Sequence, residues 1–288
     1  MRFDLDDQNR PPQQSRLRVH SLEYPIVEHC NLRCGGCDHS SPLLAKHIAG
    51  IERFEADLKL LEPVMVAGDF RIIGGEPLLH PLLVDFLRVA DASPVAESVT
   101  LVTNGVLIDR APDVIWDLID RLWVSSYPRV RCGRTKQDLQ QLCAERGVIL
   151  DWRDITTFRH TVTNYRNSDP ELVKQVYKTC KLTHEWLCYT VYDGAFYKCA
   201  PSPFIAKRHG LRLRDDDSVK LTDDPRLKEH IQRYLDCSEP LESCTFCLGS
   251  SGRELPVQQL NAQALKNAAS QVEGPFSLLI HPSSEPES

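Results

Sequence analysis

The segment Glu28-His29-Cys30-Asn31-Leu32-Arg33-Cys34-Gly35-Gly36-Cys37 sets three cysteines at the spacing C-x3-C-x2-C, directly after the apolar run 22–27. Three thiolates in one short loop satisfy three irons of a [4Fe–4S] cube. The fourth iron is left open to another ligand, unlike the four-cysteine ferredoxin pattern that caps every iron. A zinc knuckle or a set of packed thiols is the alternative reading of the loop alone.

Strand and helix signals alternate around this loop. The run 22–27 reads as a first strand, and Pro25, which removes a ladder donor, predicts that it lies at an edge. Phe54, Leu58, Leu61 and Met65 recur at helical spacing and predict a helix over 51–66. A short strand over 70–73 then ends at Gly74-Gly75-Glu76-Pro77, and Leu82, Leu83, Phe86, Leu87 and Ala90 mark the next helix. A strand over 98–103 ends at Asn104-Gly105, and 112–120 resumes helical spacing with Pro112 near its first turn. A strand over 121–127, a helix over 135–146 and a strand over 148–153 follow. Short connections between alternating elements predict a parallel sheet with right-handed crossovers, open or closed into a barrel. Chemistry in such folds sits at the carboxyl ends of the strands. The cysteine loop, Gly74 to Pro77, Asn104-Gly105 and Ser125-Ser126 all fall on predicted strand ends.

The alternation stops near 155. Ser168-Asp169-Pro170 supplies an N-cap and a first-turn proline for a helix reaching Cys180. Residues 180–255 hold six of the eleven cysteines, a β-like run over 187–192 and a helix opened by Asp223-Asp224-Pro225. They carry too few apolar residues for a second full core. The expected organisation is a flexible extension over 1–20, a barrel over 21–165, an auxiliary metal module over 166–255 and a tail over 256–288. A docked strand over 276–280 is left open. The net charge of −6 offers no electrostatic footprint for nucleic acid or anionic membrane. No apolar run approaches the ~18 residues of a membrane span, and the polar start is no signal peptide. A cytoplasmic protein is expected, and its cysteines then point to metal ligation rather than disulfides.

In combination these motifs resemble the radical S-adenosylmethionine (radical SAM) family, over about residues 22–250. The resemblance rests on Cys30, Cys34 and Cys37, on the "GGEP" of Gly74, Gly75, Glu76 and Pro77, on Thr103-Asn104-Gly105 and on Val124-Ser125-Ser126. It implies an α/β fold, a partial (βα)6 TIM-like barrel with a small C-terminal auxiliary-cluster domain. It also implies that SAM chelates the open iron and that its reductive cleavage gives a 5′-deoxyadenosyl radical, which takes a hydrogen from a substrate carbon. Gly74 to Pro77 would then meet the methionine amino group, with Thr103, Asn104 and Ser125 also at the cofactor. Two positions depart from the pattern. Tyr127 replaces an acidic residue, and Gly36 replaces the aromatic that packs near adenine, so adenine must be held by something else.

A second pattern, Cys180-x13-Gly194-x4-Cys199 followed by Cys244-x2-Cys247, resembles the "twitch" module of this family. Asp193-Gly194 turns a hairpin that returns Cys199 toward Cys180. Zinc accepts the same four thiolates, and only the resemblance favours an auxiliary [4Fe–4S] cluster, fully ligated and suited to electron relay or to clasping the module. Cys143 reads as core. Cys188 and Cys237 are candidate hydrogen-atom donors, the alternative being packed thiols. Arg153 and Asp154, with Asp151, are candidate substrate contacts, an exposed salt-bridge face being the alternative. The expected substrate is a sugar or aminocyclitol of secondary metabolism, such as antibiotic biosynthesis, undergoing epimerisation or dehydrogenation with flavodoxin or ferredoxin as reductant. A peptide-modifying maturase is the second hypothesis, disfavoured by the short polar N-terminus, and a non-enzymatic zinc scaffold the third.

Overall fold

The first five strands stand parallel and in chain order in the computed structural model, which describes residues 16–270. They are β1 (Leu17–Val27), β2 (Met65–Gly74), β3 (Val99–Thr103), β4 (Arg121–Ser126) and β5 (Ile149–Asp154). Helices α1 (Ile51–Leu61), α2 (Leu83–Ala92) and α3 (Lys136–Arg146) cross between them. Thr135 and Asp138 close a reciprocal capping box on α3, and Gly147 ends it in the left-handed conformation. The crossover from β3 to β4 carries two short 3-10 turns, Ile108–Arg110 and Asp113–Asp117, where helical spacing predicted a longer element over 112–120.

Beyond β5 the chain leaves the sheet as β6 (Thr157–Arg159) and then forms α4 (Pro170–Lys178) and α5 (Lys181–His184). Asp169 caps α4 by accepting from the amides of Glu171 and Leu172. Strand β7 (Tyr189–Tyr192) rejoins the sheet parallel to β1, at Leu22 and Glu23, and β8 (Ala195–Tyr197) and β9 (Val219–Lys220) continue it antiparallel. Between and after them lie α6 (Ser202–His209), α7 (Leu227–Asp236), β10 (Glu254–Pro256) and α8 (Ala262–Ser270), with β10 pairing β6 as a separate ribbon. The result is an open α/β sheet, a partial TIM-like barrel. Six strands are parallel, but the sixth lies beside β1 rather than beside β5.

The start of β1, its place in the sheet and the end of α1 differ from expectation, each for a local reason. Strand β1 begins at Leu17, because exposed Arg18 and His20 alternate with buried Val19 and Ser21, so four residues expected in the extension belong to the sheet. Strand β1 is also interior rather than an edge. Pro25 is accommodated because the β7 pairing covers Leu22 and Glu23 only, short of the proline. Helix α1 stops at Leu61, and Met65 opens β2 instead: Glu62 keeps helical dihedrals as the C-cap, and Pro63 has no N–H with which to continue the ladder.

Among the described residues the main hydrophobic core spans both halves, with two small separate clusters, Val176 with Leu248 and Ile205 with Phe246, in the C-terminal one. Leu22, Ile26, Phe54, Phe70, Phe86 and Leu101 belong to the same buried cluster as Val191, Phe196, Ile231 and Tyr234. The strand left open over 276–280 lies outside the described residues. Among the described residues no helix is long and apolar enough to cross a membrane.

Candidate active site

The cysteine loop is rooted where the ends of β1 and β2 meet. The amide of Gly75 donates to the Val27 carbonyl at 2.7 Å, and that of Glu76 to the His29 carbonyl at 3.2 Å. A Cβ at Gly74 would lie 2.2 Å from the Val27 carbonyl oxygen, and one at Gly75 2.2 Å from that of His29. The two glycines are therefore dictated by the close approach of two strand ends. Glu76 is fully buried, and its carboxylate accepts from the Thr103 hydroxyl (2.7 Å), the Asn104 amide (2.8 Å) and the Leu78 amide (3.1 Å). Two of these donors stand at the end of β3, so Glu76 fastens the end of β2 to it, and Glu76 is not among the residues that line the cavity described below. Pro77 starts the 3-10 turn Pro77–Leu79 below it. Asn104 reaches the loop itself, its side-chain amide donating to Asn31 Oδ1 at 2.7 Å and to Cys30 Sγ at 3.5 Å. Glu28, 2% exposed, accepts from Lys207 Nζ at 2.6 and 2.8 Å and from the Tyr192 hydroxyl, tying the root of the loop to α6 and β7.

All eleven cysteines are free thiols. Cys30, Cys34 and Cys37 share a cavity of ≈ 210 Å³ with Gly74, Gly75, Thr103, Asn104 and Ser125. Burial pushes the Cys30 thiol up to about 12 and the Cys34 thiol to about 11, so the bare loop disfavours thiolates. A bound cation reverses that preference. The sulfurs are already targets of N–H donors, from the Leu32 amide to Cys30 (3.4 Å) and from Gln259 Nε2 to Cys34 (3.0 Å). Among the described residues no three His, Cys, Asp or Glu side chains converge on a single ion position. The fit to a cluster rests on the donor chemistry: three thiols around one cavity, with sulfur-directed N–H groups.

The place left open by Gly36 is filled from another element. Gly36 has φ +78°, and a Cβ there would lie 3.6 Å from the Cβ of Phe158 on β6. The Phe158 ring packs on that of Tyr127 with centroids 5.6 Å apart, and both line the cavity. Tyr127 in turn shares a hydrogen bond with Ser125. The sequence held no local signal for Phe158, which is 122 positions from Gly36. Deeper along the strands the same cavity is lined by Glu23 and Trp123. Arg71 joins them, 3.5 Å from Glu23 and 2.7 Å from Asp69, with its guanidinium 5.2 Å from the Trp123 ring centroid. Burial raises the Glu23 carboxyl above its ordinary range, with Arg71 opposing.

Arg153 and Asp154, expected at the substrate, are not in the lining of this cavity. Arg153 pairs with Asp151 at 2.7 Å, two positions along the same strand face, and lies 3.5 Å over the Trp123 ring. Asp154 accepts from Trp152 Nε1 at 3.0 Å.

The four cysteines of the second pattern gather in the C-terminal half. Cys180 caps α5, Cys199 follows β8, Cys244 lies within the 3-10 turn Glu242–Phe246 and Cys247 ends it. Asp193 and Gly194, both at positive φ, make the tight β7–β8 turn. The thiol of Cys199 is pushed well up by burial and by neighbouring Cys180 and Cys247, and that of Cys244 by burial, Cys199 and Cys180, so the four share one neighbourhood. Cys247 Sγ accepts from the Gly249 amide at 3.2 Å. Lys198, 1% exposed and without a sequence signal, donates to the Cys237 carbonyl at 2.7 Å between the rings of Tyr177 and Tyr234. Burial lowers its pKa, while the thiols of Cys237, Cys244 and Cys199 and the Asp216 carboxylate raise it. The ammonium is thus held by the carbonyls of Tyr234 and Cys237 and by the two rings, close to the second group of cysteines in the chain.

The remaining cysteines separate. Cys188, like Arg153 and Asp154, is not in the lining of the cavity; burial pushes its thiol up to about 12, with Glu23 also raising it and Arg71 opposing. Cys237 instead lines an outer groove with Arg53 and Tyr197. Cys132 packs against Gly105, and Cys143 is a buried residue of α3.

No known family model matches the chain. It is 36% identical over 98 residues to the GTP 3′,8-cyclase of Chlorobaculum tepidum, covering 34% of this chain and 29% of that protein. It is 34% identical over 94 residues to the GTP 3′,8-cyclase of Petrotoga mobilis, covering 32% and 29%. The chain thus spans less than a third of the length of these curated relatives. Among solved structures, BtrN in complex with AdoMet and 2-DOIA is 16% identical with a TM-score of 0.49, over 80% of this chain and 85% of that one. The anSMEcpe structure with AdoMet and Cp18Cys peptide is 15% identical with a TM-score of 0.47, over 81% and 88%. The sequence similarities support the radical SAM superfamily as the class of this chain and leave its substrate open.

Proposed function

We propose that this chain is a radical SAM enzyme that removes a hydrogen atom from a carbon of a sugar- or aminocyclitol-type small molecule, leading to epimerisation or dehydrogenation. The observation that carries the reading is the single cavity shared by the three loop thiols, the Gly74-Gly75 strand end, an aromatic pair and a polar interior of Glu23 and Trp123. Cys30, Cys34 and Cys37 would hold one [4Fe–4S] cluster, and Cys180, Cys199, Cys244 and Cys247 a second. When bound, the clusters and SAM supply one-electron chemistry able to break an unactivated C–H bond.

The chain's own residues position that chemistry. The strand end at Gly74 and Gly75 receives the methionine moiety, and Glu76 and Pro77 hold that strand end in place. Thr103 and Asn104 lock it to the cysteine loop. Tyr127 and Phe158 offer adenine the apolar faces that Gly36 does not, with Ser125 beside them. Glu23 and Trp123 meet the substrate. The lining carboxylates Glu23 and Asp38 disfavour a triphosphate of the kind named for the GTP 3′,8-cyclases, and they suit hydroxyl and amine groups. Cys188, electrostatically coupled to Glu23 and Arg71 where Cys237 lines the outer groove, is the hydrogen donor in this reading. Transfer of its thiol hydrogen to a substrate carbon radical leaves a sulfur radical, which one electron and one proton restore. A flavodoxin or ferredoxin supplies electrons in this reading, within the cytoplasm.

The test uses anaerobically reconstituted protein, dithionite, and a panel of aminoglycosides and sugars in D₂O. About eight irons per chain and substrate-stimulated deoxyadenosine formation are expected. A product lighter by a hydrogen pair identifies dehydrogenation, and one solvent deuterium on carbon identifies epimerisation. Replacing Cys30, Cys34 and Cys37 together by Ala should abolish SAM cleavage, and retained cleavage would overturn the reading. Bound zinc in place of iron would make the chain a scaffold, and stimulation only by peptides would make it a maturase.

A further inference from the structure

The segment after β10 lies across the cysteine loop. The amide of Gly35 donates to the Gln258 carbonyl at 2.9 Å, and that of Leu260 to the Arg33 carbonyl at 2.8 Å, so Cys34 and Gln259 face each other as a short antiparallel bridge. The Gln259 side chain completes the contact. Its Oε1 accepts from the Arg33 amide at 2.9 Å, and its Nε2 donates to Cys34 Sγ at 3.0 Å. The orientation of this amide is decided by its partners, because the Arg33 N–H must meet the oxygen, which leaves the NH₂ group to the sulfur. Gly35 leaves room for the strap, since a Cβ there would stand 3.3 Å from the Leu260 side chain.

We infer that Gln259 is a positioning residue that sets the reduction potential of the cluster held by the cysteine loop, through its hydrogen bond to Cys34. The inference rests on reading Cys30, Cys34 and Cys37 as ligands of that cluster. Reduction adds negative charge to the cluster and its sulfurs, and an N–H donor stabilises the more negative state. Losing the donor therefore makes the cluster harder to reduce. The two flanking backbone bonds do not involve the side chain, so the strap stays in place when Gln259 is replaced.

Two variants test this in the reconstituted full chain, Gln259→Leu, which removes donor and acceptor, and Gln259→Glu, which keeps the shape and sets an anion beside the sulfur. The readout is an EPR-monitored redox titration of the signal that changes on adding SAM, with iron content measured in parallel. At the potential where the unaltered protein is half reduced, Gln259→Leu should lower the reduction equilibrium constant on the order of fivefold. Gln259→Glu should lower it further. Equal iron content with unchanged or raised potentials in both variants would overturn the inference while leaving the cluster reading intact. Absence of any iron–sulfur signal in the unaltered protein would overturn both.

Discussion

At Glu76 burial and hydrogen bonding oppose each other, and the residue can be followed by its proton. Desolvation raises its carboxyl to about 7, against the lowering effect of the donors from Asn104, Thr103 and Leu78. In the protein without SAM the folded state therefore holds a proton that the unfolded chain has already released. The stabilising contribution is full below the ordinary carboxyl value and is lost as pH rises through about 7. Its span is at most ~3 kcal/mol. Urea midpoints of the unaltered protein should fall relative to Glu76→Gln between about pH 4.5 and about pH 7, the interval bounded by the two values. A constant difference would mean that Glu76 is not the group binding the proton. At this scale the sequence was readable wherever chemistry is local: the cysteine spacings, the two glycines and the Asp193-Gly194 turn. Lys198, Phe158 and Gln259 were not readable, because each meets its partner through space and none has a distinctive neighbour in the chain.

Among the elements, the strand ends carry the most stringent fit. Adding a Cβ at Gly75 sets it 2.2 Å from the His29 carbonyl oxygen and 2.6 Å from that of Glu28. Both are backbone atoms, so the neighbour cannot give way by changing a rotamer. Gly75→Ala should therefore force β2 away from the root of the cysteine loop, at a cost of roughly 3 kcal/mol or more. Gly147→Ala is the comparison, since Gly147 has φ +72° with nothing within 4 Å and meets only backbone strain of about 1 kcal/mol. Chemical denaturation of the two variants checks the contrast, and equal losses would show that the strand-end approach is looser than its geometry. Most elements were legible from periodicity and capping, α3 and α4 above all. The β7 position was not, because a strand of four residues joined to β1 across more than 160 positions is chosen by the open flank of β1, not by its own pattern.

On the scale of the molecule, the C-terminal module is built onto the first sheet rather than hung from it. Strand β7 pairs β1, the buried core is continuous, and Lys207 on α6 reaches the Glu28 carboxylate at the root of the cysteine loop. The composition of residues 166–255 pointed to a module without enough apolar residues for its own core, and sharing the core of the barrel is how the chain solves that shortage. Glu28 is the sensitive point of the join, with a side chain only 1% exposed, while Lys207 is 37% exposed. Lys207→Met should leave a buried carboxylate with the Tyr192 hydroxyl as its remaining partner, costing about 2–4 kcal/mol after allowance for the solvent-facing side of the lysine. Adding Glu28→Gln to that variant should recover part of the loss, since the uncompensated charge is removed along with its partner. Thermal unfolding of the two single variants and the double variant measures this coupling. Hydrogen exchange should report faster opening of the cysteine loop and α6 together in Lys207→Met, because the ion pair fastens one to the other. Additive losses with unaltered exchange at the loop would mean that β1–β7 pairing and the shared core hold the two halves together without this ion pair.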